Sequence, residues 1–139
     1  MIWYLCGSID YAKDSTSWKE EFKALCKNSG LSNILLYDPD TFAFNKITFE
    51  ISEYIHDINM AAIDHADGLI ARWMSGQISV GSPIELYYAV QHHKKIILIT
   101  DMADSSVYMN FIAAHSTVVV EDVNKAYGEI LKLEQKCQV

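Results

Sequence analysis

Short apolar runs alternate five times with longer segments of helical spacing, and this alternation constrains the fold more than any other sequence feature. The runs predicted as strands are 2–6, 33–37, 68–73, 95–100 and 117–120. The segments predicted as helices are 17–28, 49–65, 83–93, 104–114 and 122–136. Strands that alternate with helices form parallel sheets covered on both faces, which explains why the runs are apolar throughout. We therefore expect the α/β fold class: a doubly wound, flavodoxin- or Rossmann-like three-layer sandwich with a five-stranded parallel sheet.

The length of the chain suits one domain. A chain of 139 residues can bury roughly 68% of its unfolded surface, so it needs no disulfide or metal to hold a core. Half of the residues are hydrophobic and 21% are charged, which argues against long disordered segments. No linker or internal repeat interrupts the alternation, so we predict a single domain over residues 1–139.

The charge balance is acidic and excludes one class of partner. Eleven Lys and Arg residues stand against 18 Asp and Glu residues, which gives a formal net charge of −7. Proteins that bind nucleic-acid polymers need a basic face to displace counterions, and no such cluster is present in the sequence. We expect a small-molecule substrate and no nucleic-acid polymer as partner.

The three cysteines, Cys6, Cys26 and Cys137, are an odd number and show no CxxC spacing. This pattern favours a reducing compartment over a disulfide framework or a zinc site. The N-terminus shows no signal-peptide pattern, and no apolar run approaches the length of about 20 residues that crosses a bilayer. We therefore expect a cytoplasmic protein that has no membrane partner.

Ligands of open α/β sheets bind beyond the carboxyl ends of the strands, where the strand order reverses. That rule points to 6–10, 37–39, 73–85 and the segment after Thr100. None of these places carries a GxGxxG, GxxxxGKS, GxxxxGKT or HExxH motif, so we expect no dinucleotide, P-loop or zinc chemistry. Cys6 lies in an apolar strand, where a small core residue is a better interpretation than a nucleophile.

The densest motif runs from Gly81 to Glu85, and two interpretations of it are open. Ser82 as N-cap, Pro83 at the first helical position and Glu85 three residues after the cap form a capping box. A carboxylate in the first helical turn at the ligand-binding edge is also held ionised, as a nucleophile at an anomeric carbon must be. The spacing alone favours the cap. Both interpretations hold together only if Glu85 points into the cleft.

Several motifs share their order and spacing with a known family. They are Tyr4-Leu5-Cys6-Gly7-Ser8-Ile9, Tyr37-Asp38-Pro39, Ala66-Asp67, and Gly81-Ser82-Pro83-Ile84-Glu85 followed by Tyr88-Ala89. In this order they resemble the nucleoside 2-deoxyribosyltransferase family, whose superfamily also contains the 2′-deoxynucleoside 5′-phosphate N-hydrolases. The resemblance runs from residue 2 to about residue 100.

The resemblance implies an enzyme that cleaves an N-glycosidic bond without a cofactor. By resemblance, Glu85 is the nucleophile that attacks C1′ of a 2-deoxyribosyl group and forms a covalent glycosyl-enzyme. A free nucleobase then takes the sugar, which is transfer, or water takes it, which is hydrolysis. The family also implies a homo-oligomer in which a neighbouring subunit completes the site, with Tyr108, Met109 or Asn110 as candidates.

The motif match also supplies candidates for the substrate pocket. The predicted substrate-binding residues are Tyr4, Gly7, Ser8, Asp38, Ser79 and Gly81. Tyr37 and Trp73 are further candidates for contact with the base, because each closes a predicted strand. For Tyr4, a core aromatic on a buried strand is an equally good interpretation.

Asn59 stands where the family often has an aspartate that positions the sugar or handles the proton of the base. An amide can orient a ligand but cannot serve as general acid or base at neutral pH. Asp57 lies two residues away, about 200° around a helix, so we expect it to face elsewhere. Asn59 is therefore predicted to act in catalysis as a positioning group.

Two residues point to different substrates. Ser79 matches a serine that helps to hold phosphate in the nucleotide hydrolases, whereas Asp10 stands where those enzymes have a basic, glycine-rich turn. A carboxylate there repels a phosphate dianion by about 4 kcal/mol at an effective dielectric of 20. We therefore favour transfer between an uncharged deoxynucleoside and a free nucleobase. The alternatives are hydrolysis of a nucleoside or its 5′-monophosphate, and a non-catalytic module that binds a nucleotide or base.

Overall fold

Five parallel strands form one sheet in the computed structural model, which describes residues 1–7, 17–30, 33–41, 48–77, 81–101 and 110–137. The strands are β1 (Ile2–Gly7), β2 (Leu35–Tyr37), β3 (Gly68–Arg72), β4 (Lys95–Ile99) and β5 (Val118–Val120). The helices are α1 (Ser17–Asn28), α2 (Phe49–His65), α3 (Gly81–Gln91), α4 (Asn110–His115) and α5 (Val123–Cys137), and a 3-10 turn spans Pro39–Thr41. Within the described ranges, no helix is long and apolar enough to cross a membrane.

The order of the strands confirms the predicted fold class. The sheet runs β2-β1-β3-β4-β5, and each pair of neighbours is parallel. β2 is added on one side of β1, and β3 to β5 are added on the other side. The strand order therefore switches between β1 and β3, and a crevice opens beyond the carboxyl ends of these two strands. Gly7 is paired with Arg72 at that edge, which brings the segments after β1 and β3 together.

The alternation of side chains along β1 divides the core into two clusters, one on each face of the sheet. Trp3 and Leu5 pack against α1 and α5. Tyr4 and Cys6 point to the opposite face, where α2 and α3 cover the sheet. Successive side chains of a strand point to opposite faces, so residues two positions apart lie on the same face. Tyr4 and Cys6 therefore lie beneath the helix that carries Glu85.

Some element boundaries differ from the predicted ones. β2 begins at Leu35 rather than at residue 33, because Asn33 lies in a turn. α3 begins at Gly81, two residues before its predicted start. The structure describes α4 as Asn110–His115, and most of the predicted helix 104–114 lies outside the described residues.

Gly68, the first residue of β3, lies where the neighbouring residues leave no room for a side chain. An ideal Cβ at this position would lie 2.5 Å from Cζ3 of Trp3 and 2.6 Å from the carbonyl oxygen of Lys95. The aromatic ring could shift, but the carbonyl oxygen belongs to the backbone of β4 and cannot move without disturbing the sheet. Glycine is therefore required where β3 enters the sheet.

We expect Gly68→Ala to lower the free energy of unfolding by about 1–3 kcal/mol, because the added methyl group overpacks the sheet. Gly128→Ala in α5 is the matched control. Apart from the backbone of its own helix and its chain neighbours, no described atom lies within 4 Å of its ideal Cβ, and alanine is favoured over glycine in a helix by about 0.5–1 kcal/mol. Urea unfolding followed by circular dichroism measures both variants. A Gly68→Ala protein as stable as the wild type would contradict the close approach.

Candidate active site

The carboxylate of Glu85 points from α3 to the central strand β1. Its Oε1 accepts a hydrogen bond of 2.8 Å from the hydroxyl group of Tyr4, a residue 81 positions earlier in the chain. The ring of Tyr4 is completely buried beside Leu86, while its hydroxyl group reaches the carboxylate. Tyr4 is therefore a core aromatic that donates a hydrogen bond to Glu85, and its contact with substrate stays a prediction.

The start of α3 departs from the predicted capping box. The helix begins at Gly81, so Ser82 is its second residue rather than its N-cap, and Glu85 is its fifth. Glu85 therefore lies just past the first turn, and its carboxylate is held by Tyr4. Tyr4, a residue distant in sequence, thus directs the Glu85 carboxylate to β1. That the carboxylate points into the cleft stays a prediction.

Cys6 is a second neighbour of Glu85 from β1. Its thiol is completely buried, lies 3.9 Å from the carbonyl oxygen of Ser82, and is also placed to donate a hydrogen bond to Glu85. A thiol has one hydrogen, so it serves these two acceptors one at a time. Burial raises the pKa of the Cys6 thiol, and the charge of Glu85 raises it further. Cys6 is thus a protonated core residue and a donor, not a nucleophile.

Opposing effects set the ionisation of Glu85. Burial raises the pKa of the carboxyl group above its usual range, because a carboxylate loses hydration in the protein interior. Hydrogen bonds from Cys6 and Tyr4 act against this rise, as does the positive charge of Lys19. The charge of Asp40 adds to it. The donors and the lysine are therefore what keep a buried carboxylate available in its ionised form.

Tyr37 extends the site from β1 to β2. Its ring stacks on that of Tyr4, with 5.5 Å between the centroids and 18° between the planes. Burial raises the pKa of the Tyr37 hydroxyl group, with smaller contributions from the charges of Asp38 and Glu85. The hydroxyl oxygen is buried, and within the described part of the chain it has no hydrogen-bond partner. Tyr37 therefore adds a second buried hydroxyl group to the candidate site.

Below this stack, Lys19 of α1 forms ion pairs with two carboxylates of the turn after β2. Its Nζ lies 3.2 Å from Asp38 and 2.6 Å from Asp40, and the lysine side chain is only 1% exposed. Lys23 lies 2.6 Å from the other oxygen of Asp38. Burial alone would raise the pKa of Asp38, but the hydrogen bond from Lys23 and the charge of Lys19 hold it below its usual value. Asp38 is therefore anchored in ion pairs.

Sequence reasoning missed Lys19 and Asp40. One signal was available: Lys19 falls at helical spacing with Phe22 and Cys26, on the face of α1 that was predicted to be buried. A lysine on an apolar face implies an acidic partner, because a buried charge is costly unless it is paired. The identity of that partner could not be predicted, since it depends on how α1 packs against the turn after β2.

Asn59 lies on the inward side of α2. It is partly buried and stands one helical turn before Ile63, which is completely buried in the cluster that contains Tyr4. Asp57 is exposed and contacts the neighbouring His56, so it faces away from this cluster. Across the described residues, no three His, Cys, Asp or Glu side chains are grouped so that they could hold a metal ion.

The two predicted glycines occupy different surroundings. A Cβ at Gly7 would lie 3.1 Å from the ring of Trp18, so the side-chain position of Gly7 faces α1 rather than Glu85. Gly81 is exposed at the start of α3, and no described atom lies within 4 Å of its ideal Cβ. Among the described residues outside its own helix, nothing fills the space beside Gly81.

Of the remaining predicted positions, two are described by the structure and the others lie outside the described residues. Trp73 follows β3, is partly buried against the Tyr4 cluster, and donates from Nε1 to the carbonyl oxygen of Gln77 at 3.2 Å. Asn110 is the first residue of α4. The positions outside the described residues are Ser8, Asp10, Ser79, Tyr108 and Met109.

The family model of the nucleoside 2-deoxyribosyltransferases matches residues 3–128. The chain belongs to the nucleoside 2-deoxyribosyltransferase family. This match extends well past residue 100, where the motif resemblance ended, and includes all of the described site residues. A search of curated proteins found no match.

Solved structures share the fold of this deoxyribosyltransferase-family chain. A 2-deoxyribosyltransferase from Bacillus psychrosaccharolyticus is 16% identical, with a TM-score of 0.73 over 90% of this chain and 89% of that one. A 2-deoxyribosyltransferase from Leishmania mexicana is 17% identical, with a TM-score of 0.66 and coverages of 94% and 97%. A CMP N-glycosidase from Clostridium botulinum is 18% identical, with a TM-score of 0.60 and coverages of 95% and 99%. At these identities the similarity shows the fold.

Because the pKa of Glu85 is raised, we predict that its ionised carboxylate lowers the free energy of unfolding. Its ionised form is disfavoured in the folded state, so the free energy of unfolding falls as the pH rises from the unfolded pKa through the folded one. We expect Glu85→Gln, which stays neutral, to be more stable than the wild type at pH 7. The difference should shrink as the pH falls through this window and vanish well below the unfolded pKa of about 4.3, where both states are protonated.

Urea unfolding at a series of pH values measures this difference. Glu53→Gln, at an exposed glutamate of α2, is the control and should change the free energy of unfolding little at any pH. A Glu85→Gln protein less stable than the wild type at pH 7 would contradict the balance described for Glu85.

Proposed function

We propose that this protein transfers a 2-deoxyribosyl group between nucleobases through a covalent glycosyl-enzyme on Glu85. The observation that carries the proposal is the Glu85 carboxylate, held by Tyr4 on β1 beside the crevice where the strand order reverses. Membership of the family supports deoxyribosyl transfer or N-glycosidase activity as the class of reaction. Attack on an anomeric carbon needs a fixed carboxylate, and this one is fixed.

The reaction has two displacements. An oxygen of Glu85 attacks C1′ of the deoxyribosyl group, the C1′–N bond breaks, and its electron pair leaves with the base, which takes up a proton. A nitrogen of a second base then attacks C1′, the C1′–O bond breaks, and the electron pair returns to the Glu85 carboxylate. The incoming base loses its proton. Both steps pass through a transition state with positive charge on the sugar, which the negative carboxylate stabilises.

Asn59 is proposed as a positioning group for the sugar or base. Its place on the inward side of α2, one turn before Ile63, supports this assignment. Its amide can donate and accept hydrogen bonds but cannot release a proton to the departing base. A deoxynucleoside is proposed over a nucleotide because Asp10 brings a negative charge to the segment after β1. The proposed pocket further includes Gly7, Ser8, Asp38, Ser79 and Gly81.

We also propose that the protein is a cytoplasmic homo-oligomer. Large apolar side chains are exposed on two neighbouring helices, namely Phe49 and Tyr54 on α2 and Ile84 and Tyr87 on α3. Such surfaces are typical of contacts between subunits. All three cysteines are free, as is usual in a reducing compartment.

Product analysis tests the reaction. The protein is incubated with a deoxynucleoside, with and without a different free nucleobase, and the products are separated by chromatography. We expect a new deoxynucleoside only when the second base is present. Glu85→Gln should lower the rate by at least about a thousandfold, because the amide cannot form the covalent intermediate. The exposed Glu53→Gln variant is the matched control and should retain full activity.

Other outcomes would overturn parts of the proposal. Free deoxyribose and base in both incubations would show hydrolysis, and turnover of the 5′-monophosphate alone would show a nucleotide substrate. Binding without any product would show a non-catalytic module. Wild-type rates in Glu85→Gln would exclude Glu85 as the nucleophile. Intact-mass spectrometry of enzyme quenched during turnover should detect the added deoxyribosyl group in the wild type and not in Glu85→Gln.

The Tyr4–Glu85 hydrogen bond predicts a shift of the acid limb of the pH profile. Tyr4→Phe keeps the buried ring but removes a donor that lowers the pKa of Glu85, so the limb should move to higher pH. A hydrogen bond to a charged group is worth about 1.5–3 kcal/mol, so kcat/KM on the acid side should fall by roughly tenfold or more.

Tyr37→Phe is the matched control for this measurement. It keeps the stacked ring and removes a hydroxyl group that does not contact Glu85. The acid limb should therefore stay in place, whatever happens to KM. Equal shifts of the limb in both variants would show that the Tyr4 hydroxyl group has no specific effect on the nucleophile.

A further inference from the structure

Lys19 is an unusual residue for the interior of this fold. Its side chain is 1% exposed, although α1 otherwise turns apolar residues such as Trp18, Phe22 and Cys26 to the core. A buried ammonium group loses its hydration, and replacing a buried ion pair by apolar residues is often neutral or stabilising. Stability of the fold alone therefore gives no reason to retain a charge at this position.

The turn after β2 is also held by contacts that do not involve Lys19. Asp38 already has a lysine partner in Lys23, 2.6 Å from one of its oxygens. Asp38 further accepts a hydrogen bond from the backbone N–H of Asp40. Lys19 adds a second cation to Asp38 and contacts Asp40 at 2.6 Å. Lys19 differs from Lys23 in being almost completely buried.

A short chain of contacts leads from Lys19 to Glu85. Lys19 holds Asp38, and Tyr37, the preceding residue, stacks on Tyr4. Tyr4 in turn donates its hydroxyl hydrogen to Glu85. Displacement of the turn would move the ring of Tyr37, against which Tyr4 is packed. The orientation of the Tyr4 hydroxyl group is thus coupled to the ion pairs of the turn.

We propose that Lys19 is a positioning residue of this active site: its buried ammonium group fixes the turn after β2 and, through the stacked rings of Tyr37 and Tyr4, holds the Tyr4 hydroxyl group on Glu85. The role of Lys19 in catalysis rests on the proposed function. Its effect on the ionisation of Glu85 does not, because that effect exists in the protein without substrate.

The charge of Lys19 also acts on Glu85 directly, in the direction of the ionised form. The titratable groups of the described residues that act most strongly on the ionisation of Glu85 are Cys6, Tyr4, Lys19 and Asp40. Tyrosine and cysteine are neutral at pH 7 here, since the pKa values of Tyr4, Cys6 and Tyr37 are raised by burial. Lys19 is therefore the cation of this group, and Asp40 the anion that opposes it. Loss of Lys19 leaves Glu85 beside an anion without compensation.

The test follows the titration of Glu85 directly by NMR of protein labelled with 13C at the glutamate side-chain carboxyl groups. The resonance of Glu85 is assigned by its absence from the spectrum of Glu85→Gln. We expect the midpoint of Glu85 to move to higher pH in Lys19→Gln and to stay near the wild-type value in Lys19→Arg. Lys23→Gln is the matched control, since it removes an equal charge from the same Asp38 at a partly exposed site.

The outcomes distinguish an electrostatic role from a purely structural one. If the Glu85 midpoint is the same in Lys19→Gln and in the wild type, the proposal is overturned. It is overturned equally if Lys23→Gln moves the midpoint as far as Lys19→Gln does. Should Lys19→Gln fail to fold, the double variant Lys19→Gln/Asp38→Asn removes one charge of each sign, and its midpoint must still lie above that of Asp38→Asn.

Activity is a separate readout. If the protein transfers deoxyribosyl groups, Lys19→Gln should lower kcat on the acid side by about tenfold, because less of the nucleophile is ionised. If no substrate is turned over, the proposed function fails while the titration of Glu85 still decides the role of Lys19. The two failures are therefore distinguishable.

Discussion

The hydrogen bond between the Tyr4 hydroxyl group and the Glu85 carboxylate is the interaction on which the site depends. It joins the central strand to the helix that follows the switch in strand order, across 81 residues of sequence. A carboxylate in an apolar cluster cannot remain ionised without donors, and the surrounding cluster otherwise consists of residues such as Leu86 and Ile63. One phenol and one thiol of β1 supply them.

Glu85 and Lys19 are charged side chains at buried positions, where uncharged side chains would make the fold more stable. Burial raises the pKa of Glu85, and Lys19 is buried although apolar residues surround it on α1. Each charge is tolerated because the other elements oppose the cost: β1 through hydrogen bonds, and the turn after β2 through Asp38 and Asp40. Perturbed ionisation of this kind clusters at functional sites, because catalysis requires groups that stability alone would remove.

Sequence patterns predicted much of this protein. The alternation of apolar runs and helical segments predicted the doubly wound sheet, because each element must bury one face. The motif around Glu85 predicted a candidate nucleophile, and this assignment stays a prediction. The predicted start of α3 was wrong by two residues, because helix boundaries depend on caps and contacts as well as on spacing. The strand β2 was predicted too long, since a turn at Asn33 replaces its first residues.

The sequence by itself determined the fold class, the edge of the sheet where we expect a ligand, and Glu85 as the candidate nucleophile. These properties follow from periodicity and local motifs, which involve residues that are close together in the sequence. Only the tertiary structure decided that Glu85 faces Tyr4 and that Lys19 is paired with Asp38 and Asp40. Such partners come from separate elements of the chain, so the packing of α1 and α3 against the sheet determines them.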